Sequence, residues 1–254
     1  MFKQILLVAS CAVSLSVFSA EQVWDFDDGT LKGGNRKGYG NRLTFDGLSV
    51  KGWSDTGDKE DDLKLKSTHL KYDDYWGLMS YNRDRESGTP AHSIDSYGDD
   101  FDMVLLSFDE AVNLAGFTLG WAQENYVNDT NEGSSHADVS VLAYSGNDAP
   151  ALKNNTWADL AGLGWTTEAE VSNADDFAYQ AIDSSAASKY WLIGAYNPIF
   201  GSMGWSSGND GFKLAGVTTN SPQVPVTSVP EPGTVLMFAA GLFGIALRSR
   251  KRQA

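Results

Sequence analysis

The chain has 254 residues, of which 42 % are hydrophobic, and a formal net charge of −14 at pH 7. An acidic balance of this size repels nucleic acid and anionic membrane surfaces, so it excludes a nucleic-acid-binding protein. The single cysteine, Cys11, excludes a disulfide framework. An all-β domain of about 200 residues is common, and it buries enough apolar surface to fold without such a staple.

Residues 1–20 have the pattern of a secretory signal peptide, in which Lys3 precedes an apolar stretch from Ile5 to Phe18. Cleavage by signal peptidase after Ser19 or after Ala20 is expected. Val8-Ala-Ser-Cys11 also has the pattern of a lipoprotein cleavage box, which is the alternative. The apolar stretch, however, continues past that cysteine, as in an ordinary signal peptide.

Residues 21–217 contain short apolar or alternating segments separated by turn residues, which is typical of strands. Asp46-Gly47 is a strong hairpin signal, and the break in alternation at Ala115-Gly116 predicts a bulge. Only Asn155–Leu163 resembles a helical turn. We therefore predict a mainly β domain, a jelly-roll-like sandwich of two sheets. The predicted strands are Val23–Phe26, Arg42–Phe45, Leu48–Trp53, Leu63–Leu70, Met103–Phe108, Val112–Trp121, Asp138–Tyr144, Trp165–Val171, Lys189–Tyr196 and Phe212–Val217.

Residues 218–229 contain two prolines and no strand pattern free of proline, so they are predicted to be an extended linker. At about 3.1 Å per residue, such a linker reaches nearly 40 Å. That length gives a processing enzyme access to the segment that follows.

Residues 230–254 have three parts in a fixed order. Pro230, Glu231 and Pro232 form a motif that stays extended, because proline fixes φ and disfavours helix in the residue before it. The uncharged run Thr234–Leu247 suits a membrane helix, and four cations follow that favour the cytoplasmic side. The cations of this basic tail are Arg248, Arg250, Lys251 and Arg252.

The apolar run is short for a permanent anchor. Its residues give a helix of roughly 21 Å, below the roughly 30 Å of the hydrocarbon core. A plain single-span anchor that thins the bilayer remains the alternative. A processing signal that is removed after export fits the length better.

This three-part arrangement resembles the PEP-CTERM sorting signal of Gram-negative bacteria, which exosortase recognises and cleaves. The resemblance implies transient anchoring in the inner membrane, then transfer to the cell surface or extracellular matrix. The central domain also resembles the XDP1-type exosortase-dependent surface proteins, a likeness that implies a destination and no catalytic residues. The segments that carry the second likeness are Leu105–Asp109, Val112–Trp121, Val139–Tyr144, Tyr190–Tyr196 and Gly208–Gly216.

The sequence shows no recognisable enzyme motif. The three histidines, His69, His92 and His136, have no metal-ligand spacing, and no nucleophile elbow or nucleotide-binding loop is present. Carboxylates are too numerous for any pair to indicate a glycosidase. We therefore predict a protein that is not an enzyme.

The acidic segment Ile94–Asp102 suggests a structural calcium site. Its carboxylates, Asp95, Asp99, Asp100 and Asp102, lie just before a predicted central strand. Calcium prefers six to eight hard oxygen ligands, which a loop of this composition supplies. The alternative is a solvated acidic turn, and no other cofactor is predicted.

The eight tryptophans raise the possibility of carbohydrate binding, because indole rings stack on sugar rings. Strand patterns assign Trp24, Trp53, Trp121 and Trp191 to the core. The other four tryptophans have glycine-rich or polar surroundings, so they are candidates for exposure to solvent. They are Trp76, Trp157, Trp165 and Trp205. The predicted function is a structural or adhesive role in an exopolysaccharide or biofilm layer, and a carbohydrate-binding module for extracellular glycans is the alternative.

Overall fold

The computed structural model describes residues 21–33, 39–55, 63–82, 92–97, 100–125 and 135–222. The chain divides into two compact units, residues 1–222 and residues 223–254, and all of the described residues belong to the first. The architecture below is that of this first unit.

The described residues form a mainly β domain, which confirms the predicted fold class. Its fifteen strands pair antiparallel with one another in the described ranges. The strands are β1 (Glu21–Asp25), β2 (Thr30–Lys32), β3 (Tyr39–Gly40), β4 (Arg42–Thr44), β5 (Leu48–Ser54), β6 (Lys66–Ser67), β7 (His69–Asp73), β8 (Gly77–Tyr81), β9 (Ile94–Asp95), β10 (Asp102–Glu124), β11 (His136–Tyr144), β12 (Trp165–Asp175), β13 (Tyr179–Ala181), β14 (Ser188–Ala195) and β15 (Asp210–Asn220).

One long strand, β10, belongs to both layers of the sandwich. Its first part pairs with β5 and β14, and its second part pairs with β15 and β13. The register with β15 shifts between Leu114 and Gly116, which confirms the predicted bulge. The change from one sheet to the other occurs earlier, between Phe108 and Asn113, where the register of β10 with β14 also shifts, since an irregularity of this kind bends a strand and increases its twist. The result is a continuous antiparallel sheet nearly closed into a barrel-like sandwich.

The two layers are defined by their strands. The first sheet has the order β12-β11-β14-β10-β5, and β4 and β6 extend it from β5. In the second sheet, β15 pairs on one edge with β10 and on its other edge with β9, β8 and β1 in turn. The hairpin of β7 and β8 continues this second sheet to β3.

The main core lies between the sheets and consists of aliphatic and aromatic side chains from both. Its largest members are Trp24, Phe26, Phe108, Phe117, Trp191 and Phe212. A smaller apolar cluster covers the outer face of the first sheet, under a 3-10 helix at Trp157–Leu163. Both faces of β10 are therefore buried at its start, which explains why Met103–Phe108 is almost entirely apolar.

The 3-10 helix confirms the helical turn that the sequence predicts near Asn155–Leu163. It begins with a capping box in which Thr156 and Asp159 bond to each other's backbone N–H groups. Trp157 is 1 % exposed, and its Nε1 donates to the Phe101 carbonyl oxygen at 3.1 Å. Capping and burial together fix this turn over the sheet.

Strand β10 joins the predicted strands Met103–Phe108 and Val112–Trp121 into one, and several strand boundaries differ from the prediction. Tertiary contacts account for two of these differences. Leu63–Leu70 does not form one strand, because Leu65 turns into the outer cluster and its backbone bonds to Asn154 and Asn155. Strand β15 continues through Asn220, past the predicted domain end at Val217, because β1 and β10 pair with it on both edges up to that residue. Tertiary pairing decides both boundaries.

Candidate functional site

An exposed cluster of rings lies where the turn between β7 and β8 meets β10, β15 and the connection from β12 to β13. We call it the aromatic surface and define it by Tyr75, Trp76, Trp121, Phe177 and Lys213. Tyr75 is 67 % exposed and Phe177 is 55 % exposed, whereas the two tryptophans are half-buried. Two large exposed rings beside each other make this a candidate contact surface.

The turn that carries Tyr75 and Trp76 is fixed by its own backbone contacts. The Asp73 Oδ1 atom accepts the N–H groups of both residues at 3.1 Å. Gly77 has a φ of +94°, a conformation that a side chain would strain. On the facing strand, a Cβ at Gly120 would clash with the Trp76 carbonyl oxygen. Glycine at both positions therefore lets the turn lie directly on β10.

Phe177 is fixed in a different way. Its φ of +54° lies in the left-handed region, where a large side chain is uncommon. Its N–H donates to the Leu119 carbonyl oxygen at 2.7 Å, and Asp176 forms a parallel bridge with the same residue. Hydrogen bonding to β10 thus holds an exposed ring in a strained backbone conformation.

Lys213 lies between the two indole rings of the aromatic surface. It pairs across the ladder with Trp121, and its Nζ lies 5.0 Å from the Trp121 ring centroid and 5.7 Å from that of Trp76. Both distances are those of cation–π contacts. Burial lowers the pKa of Lys213, and the charge of Asp73 acts in the opposite direction.

The rings pack against one another at interplanar angles from 41° to 89°. The Tyr75 and Trp76 centroids are 4.4 Å apart at an interplanar angle of 89°, and Phe177 lies 5.8 Å from Tyr75 and 6.1 Å from Trp76. Edge-to-face packing of this kind is favourable and leaves ring faces in different planes. Four acids adjoin these rings in the sequence, namely Asp73, Asp74, Asp175 and Asp176.

The predicted calcium ligands lie elsewhere, in an acid-rich end of the sandwich. Asp95 is buried, and its carboxylate accepts from Ser93 Oγ at 2.7 Å and from the Tyr97 N–H at 3.3 Å. Asp100 accepts from Asn82 Nδ2 at 3.1 Å. Asp102, another predicted ligand, is buried at the start of β10. The fourth, Asp99, lies outside the described residues.

A further acid, Asp55, belongs to this end and was not predicted. Its Oδ1 accepts the Phe101 N–H at 2.6 Å. Burial raises the pKa of Asp55 well above its usual range, and the charge of Asp100 and a side-chain hydrogen bond with it act in the same direction. Burial also raises the pKa of Asp95, again with a contribution from Asp100.

Asp210 lies beside these residues at the start of β15. It is fully buried, and its Oδ1 accepts the Asp138 N–H at 2.8 Å. Burial raises the pKa of Asp210 to about 7, and the charges of Asp138 and Glu124 add to the effect. The register places Gly211 opposite Asp95, so the two buried acids lie on neighbouring strands.

Glu170 is a related acid on β12. Its Oε2 accepts from Ser140 Oγ at 2.8 Å, and burial raises its pKa to about 7. Over the described ranges, no three His, Cys, Asp or Glu side chains are arranged to hold a metal ion. Calcium binding at Asp95, Asp99, Asp100 and Asp102 therefore stays a prediction from the sequence.

The histidines lie in separate environments. His69 Nδ1 lies 2.8 Å from Asn41 Oδ1, and His136 Nδ1 lies 3.6 Å from Glu124 Oε2. The His92 ring packs against Tyr81, with centroids 4.3 Å apart. The structure therefore does not bring the three together.

The tryptophan predictions are partly confirmed. Trp24 and Trp191 are buried, as the strand patterns predict. Trp121 was predicted to be in the core but lies half-buried in the aromatic surface. The ladder shifts register between Leu119 and Trp121, and a shift of one residue moves a side chain to the opposite face.

The remaining tryptophans also divide between core and surface. Trp157 and Trp165, which the sequence left as candidates for exposure, are both buried in the outer cluster. Trp53 packs beside that cluster as a partly buried residue, and Trp205 packs at a tilt against Tyr196, with ring centroids 5.1 Å apart. Sequence surroundings alone therefore do not decide which indoles are exposed.

Two turns of the aromatic surface share a local sequence pattern of acids followed by large rings. The turn Asp73-Asp74-Tyr75-Trp76-Gly77 places two large rings among turn residues, and Asp175-Asp176-Phe177 repeats the combination of acids and a ring. Trp157 follows an equally polar stretch and is nevertheless buried, so this combination by itself does not predict an exposed ring. The meeting of the two turns is visible only in the structure.

Comparison with family models matches residues 228–251 to the PEP-CTERM protein-sorting motif. This segment is a PEP-CTERM sorting motif. The match spans Pro230, Glu231 and Pro232, the apolar run Thr234–Leu247 and the first three cations of the basic tail, Arg248, Arg250 and Lys251; Arg252 follows it. It confirms the predicted resemblance to exosortase-sorted proteins, while the XDP1-type likeness of the central domain stays a prediction.

The PEP-CTERM motif implies export, sorting to the cell surface and processing by exosortase. No curated protein matches the chain. The motif itself, the predicted signal peptide at residues 1–20 and residues 223–229 of the predicted linker lie outside the described residues. Among the residues that are described, no helix is long and apolar enough to cross a membrane.

Proposed function

We propose that this chain is a non-enzymatic surface or matrix protein with a structural or adhesive role in an exopolysaccharide or biofilm layer. The observation that carries the proposal is the PEP-CTERM motif at residues 228–251. Such a motif directs its protein out of the cell. The acidic charge of the chain supports the same role, since a strongly charged domain stays soluble in a crowded matrix.

The proposed route has three steps. Signal peptidase removes residues 1–20 during export. The run Thr234–Leu247 then holds the chain in the inner membrane of a Gram-negative cell, with the basic tail on the cytoplasmic side. Exosortase finally cleaves near Pro230–Pro232 and releases the domain to the surface.

A second candidate function is a carbohydrate-binding module for extracellular glycans. The aromatic surface favours it, because Tyr75 and Phe177 expose large rings that the core does not use. In this reading, adhesion to the polysaccharide layer occurs through direct contact with sugar chains. The two candidates are compatible, and they differ in whether the domain binds sugar saturably.

The intact mass of the protein from the surface fraction of its native host tests the proposed function. We expect a mass that lacks residues 1–20 and the residues after about Val229. Any excess mass identifies a group added at the new end. A surface-fraction mass that still includes Ala254 would contradict exosortase processing and leave an ordinary membrane anchor.

A further inference from the structure

We infer that the aromatic surface is a binding site for a neutral polysaccharide chain. The inference rests on the proposed extracellular role and adds a location and a ligand class to it. It depends on three properties of the surface, namely ring exposure, rigidity and the arrangement of charges. Each of them is a property of residues that the structure describes.

The exposed rings have the chemistry that a sugar requires. One face of a pyranose ring consists mainly of C–H groups, which pack favourably on an aromatic ring, while its hydroxyl groups point outward around the edge. Tyr75 and Phe177 offer such rings to solvent, and Trp76 lies beside both. Because the rings lie in different planes, they fit successive sugar units of a chain better than one flat ligand.

The surface is preorganised. The Asp73 carboxylate fixes the turn of Tyr75 and Trp76, and the Leu119 carbonyl oxygen fixes Phe177. Rings that are held in place lose little conformational entropy when a ligand binds. A strained, exposed Phe177 contributes nothing to the core, so a contact role accounts for its position.

The charges next to the rings distinguish between ligands. Asp73, Asp74, Asp175 and Asp176 adjoin the rings in the sequence, and Lys213 is the cation between the indoles. Carboxylates accept hydrogen bonds from sugar hydroxyls but repel uronate or sulfate groups. The same acids disfavour a second copy of this surface, because acids would face acids. A neutral, hydroxyl-rich chain meets neither penalty.

Lys213 has a defined place in this site. Its ammonium group lies against both indole rings, where it can donate to a hydroxyl group of a sugar stacked on them. Lys71 is the only other cation whose charge acts on Lys213 among the described residues, and the two lysines face four acids, so Lys213 serves as a donor for a hydroxyl group rather than as a site for an anion. Replacing Lys213 with Gln keeps a donor and is therefore expected to weaken binding less than the loss of a ring.

Affinity electrophoresis of the full chain in mild detergent tests the inference. The gels contain dextran or galactomannan as neutral probes and alginate as the anionic probe. The test variants are Tyr75→Ala, Trp76→Ala and Phe177→Asn, the last because asparagine tolerates a positive φ. The matched controls are Trp205→Ala and Ile199→Ala, which remove a half-buried indole and an exposed apolar side chain elsewhere.

We expect at least one neutral probe to retard the chain, with affinity about tenfold lower in each ring variant and unchanged in the controls. Stronger retardation by alginate than by both neutral probes would overturn the ligand class. Retardation that the ring variants keep would overturn the location and leave glycan binding intact. Retardation by none of the probes would overturn the inference, while the mass of the surface form tests export and cleavage independently.

Discussion

At the residue scale, the stability of the domain depends on a few large rings whose single polar atom is satisfied. Trp24 Nε1 donates to Thr219 Oγ1 at 3.1 Å in the main core. In the outer cluster, Trp157 Nε1 donates to the Phe101 carbonyl oxygen. Burying an indole is favourable only when its N–H keeps a partner, so these contacts fix where each ring lies.

Replacing Trp157 with Ala removes a fully buried indole of the outer cluster and the hydrogen bond that its Nε1 donates to the Phe101 carbonyl oxygen. We expect the free energy of unfolding to fall by about 3–5 kcal/mol, because a cavity and a lost hydrogen bond add together. Urea unfolding followed by circular dichroism measures the change. Trp205→Ala, at a half-buried loop position, is the control, and we expect it to cost about 1 kcal/mol or less. Equal losses in the two variants would contradict this account.

At the element scale, the acidic segment before β10 carries the predicted calcium ligands. Asp95 and Asp100 are held by hydrogen bonds from neighbouring side chains and backbone, and Asp55 faces the same segment. Burial without a cation raises the pKa of such carboxyl groups. A bound divalent cation would reverse that effect, which links the predicted calcium site to a measurable property.

If calcium binds at Asp95, Asp99, Asp100 and Asp102, millimolar calcium added after EGTA raises the melting temperature of the full chain. The ion binds only the folded state and stabilises it by an amount that grows with the logarithm of its concentration over its dissociation constant. Differential scanning calorimetry measures the shift, and Asp100→Asn is expected to abolish it. Asp109→Asn, at the end of the β10–β5 pairing near Gly47, serves as the control. An unchanged melting temperature of the wild-type chain would contradict calcium binding.

At the scale of the whole molecule, buried acids make stability depend on pH. The pKa of Asp210 and that of Glu170 are both raised to about 7 by burial, from ordinary values near 4. Between about pH 4 and pH 7 the folded state therefore binds more protons than the unfolded state. Stability is then greatest at the acidic side and falls as the pH rises through this window.

We expect the free energy of unfolding in EGTA to decrease from pH 5 to pH 8, with Asp210 contributing on the order of 3 kcal/mol. Denaturant titrations at several pH values measure it. The Asp210→Asn variant is expected to show a shallower decrease, since Glu170 still ionises, while the amide at position 210 does not ionise and its oxygen still accepts the Asp138 N–H. Glu110→Gln, whose side chain is highly exposed, is the control. A profile that rises from pH 5 to pH 8 would contradict the effect of burial.

Much of the strand pattern could be predicted because it is local. The hairpin at Asp46-Gly47 and the bulge at Ala115-Gly116 both leave a signal in a few neighbouring residues. The continuity of β10 leaves no such signal. Its middle contains Asp109 and Glu110, which look like a turn, yet the Asp109 N–H donates to the Gly47 carbonyl oxygen at 3.0 Å. A contact distant in sequence keeps the strand unbroken.

The sequence by itself determined the destination of this protein, because a sorting motif is read by an enzyme as a short linear segment and needs no tertiary contact. Residues 228–251 carry that information alone. Only the tertiary structure decided which rings are exposed. A register shift turns Trp121 outward, and backbone bonds to β10 bring Phe177 next to Trp76. Those contacts join residues far apart in the chain, so no local pattern encodes them.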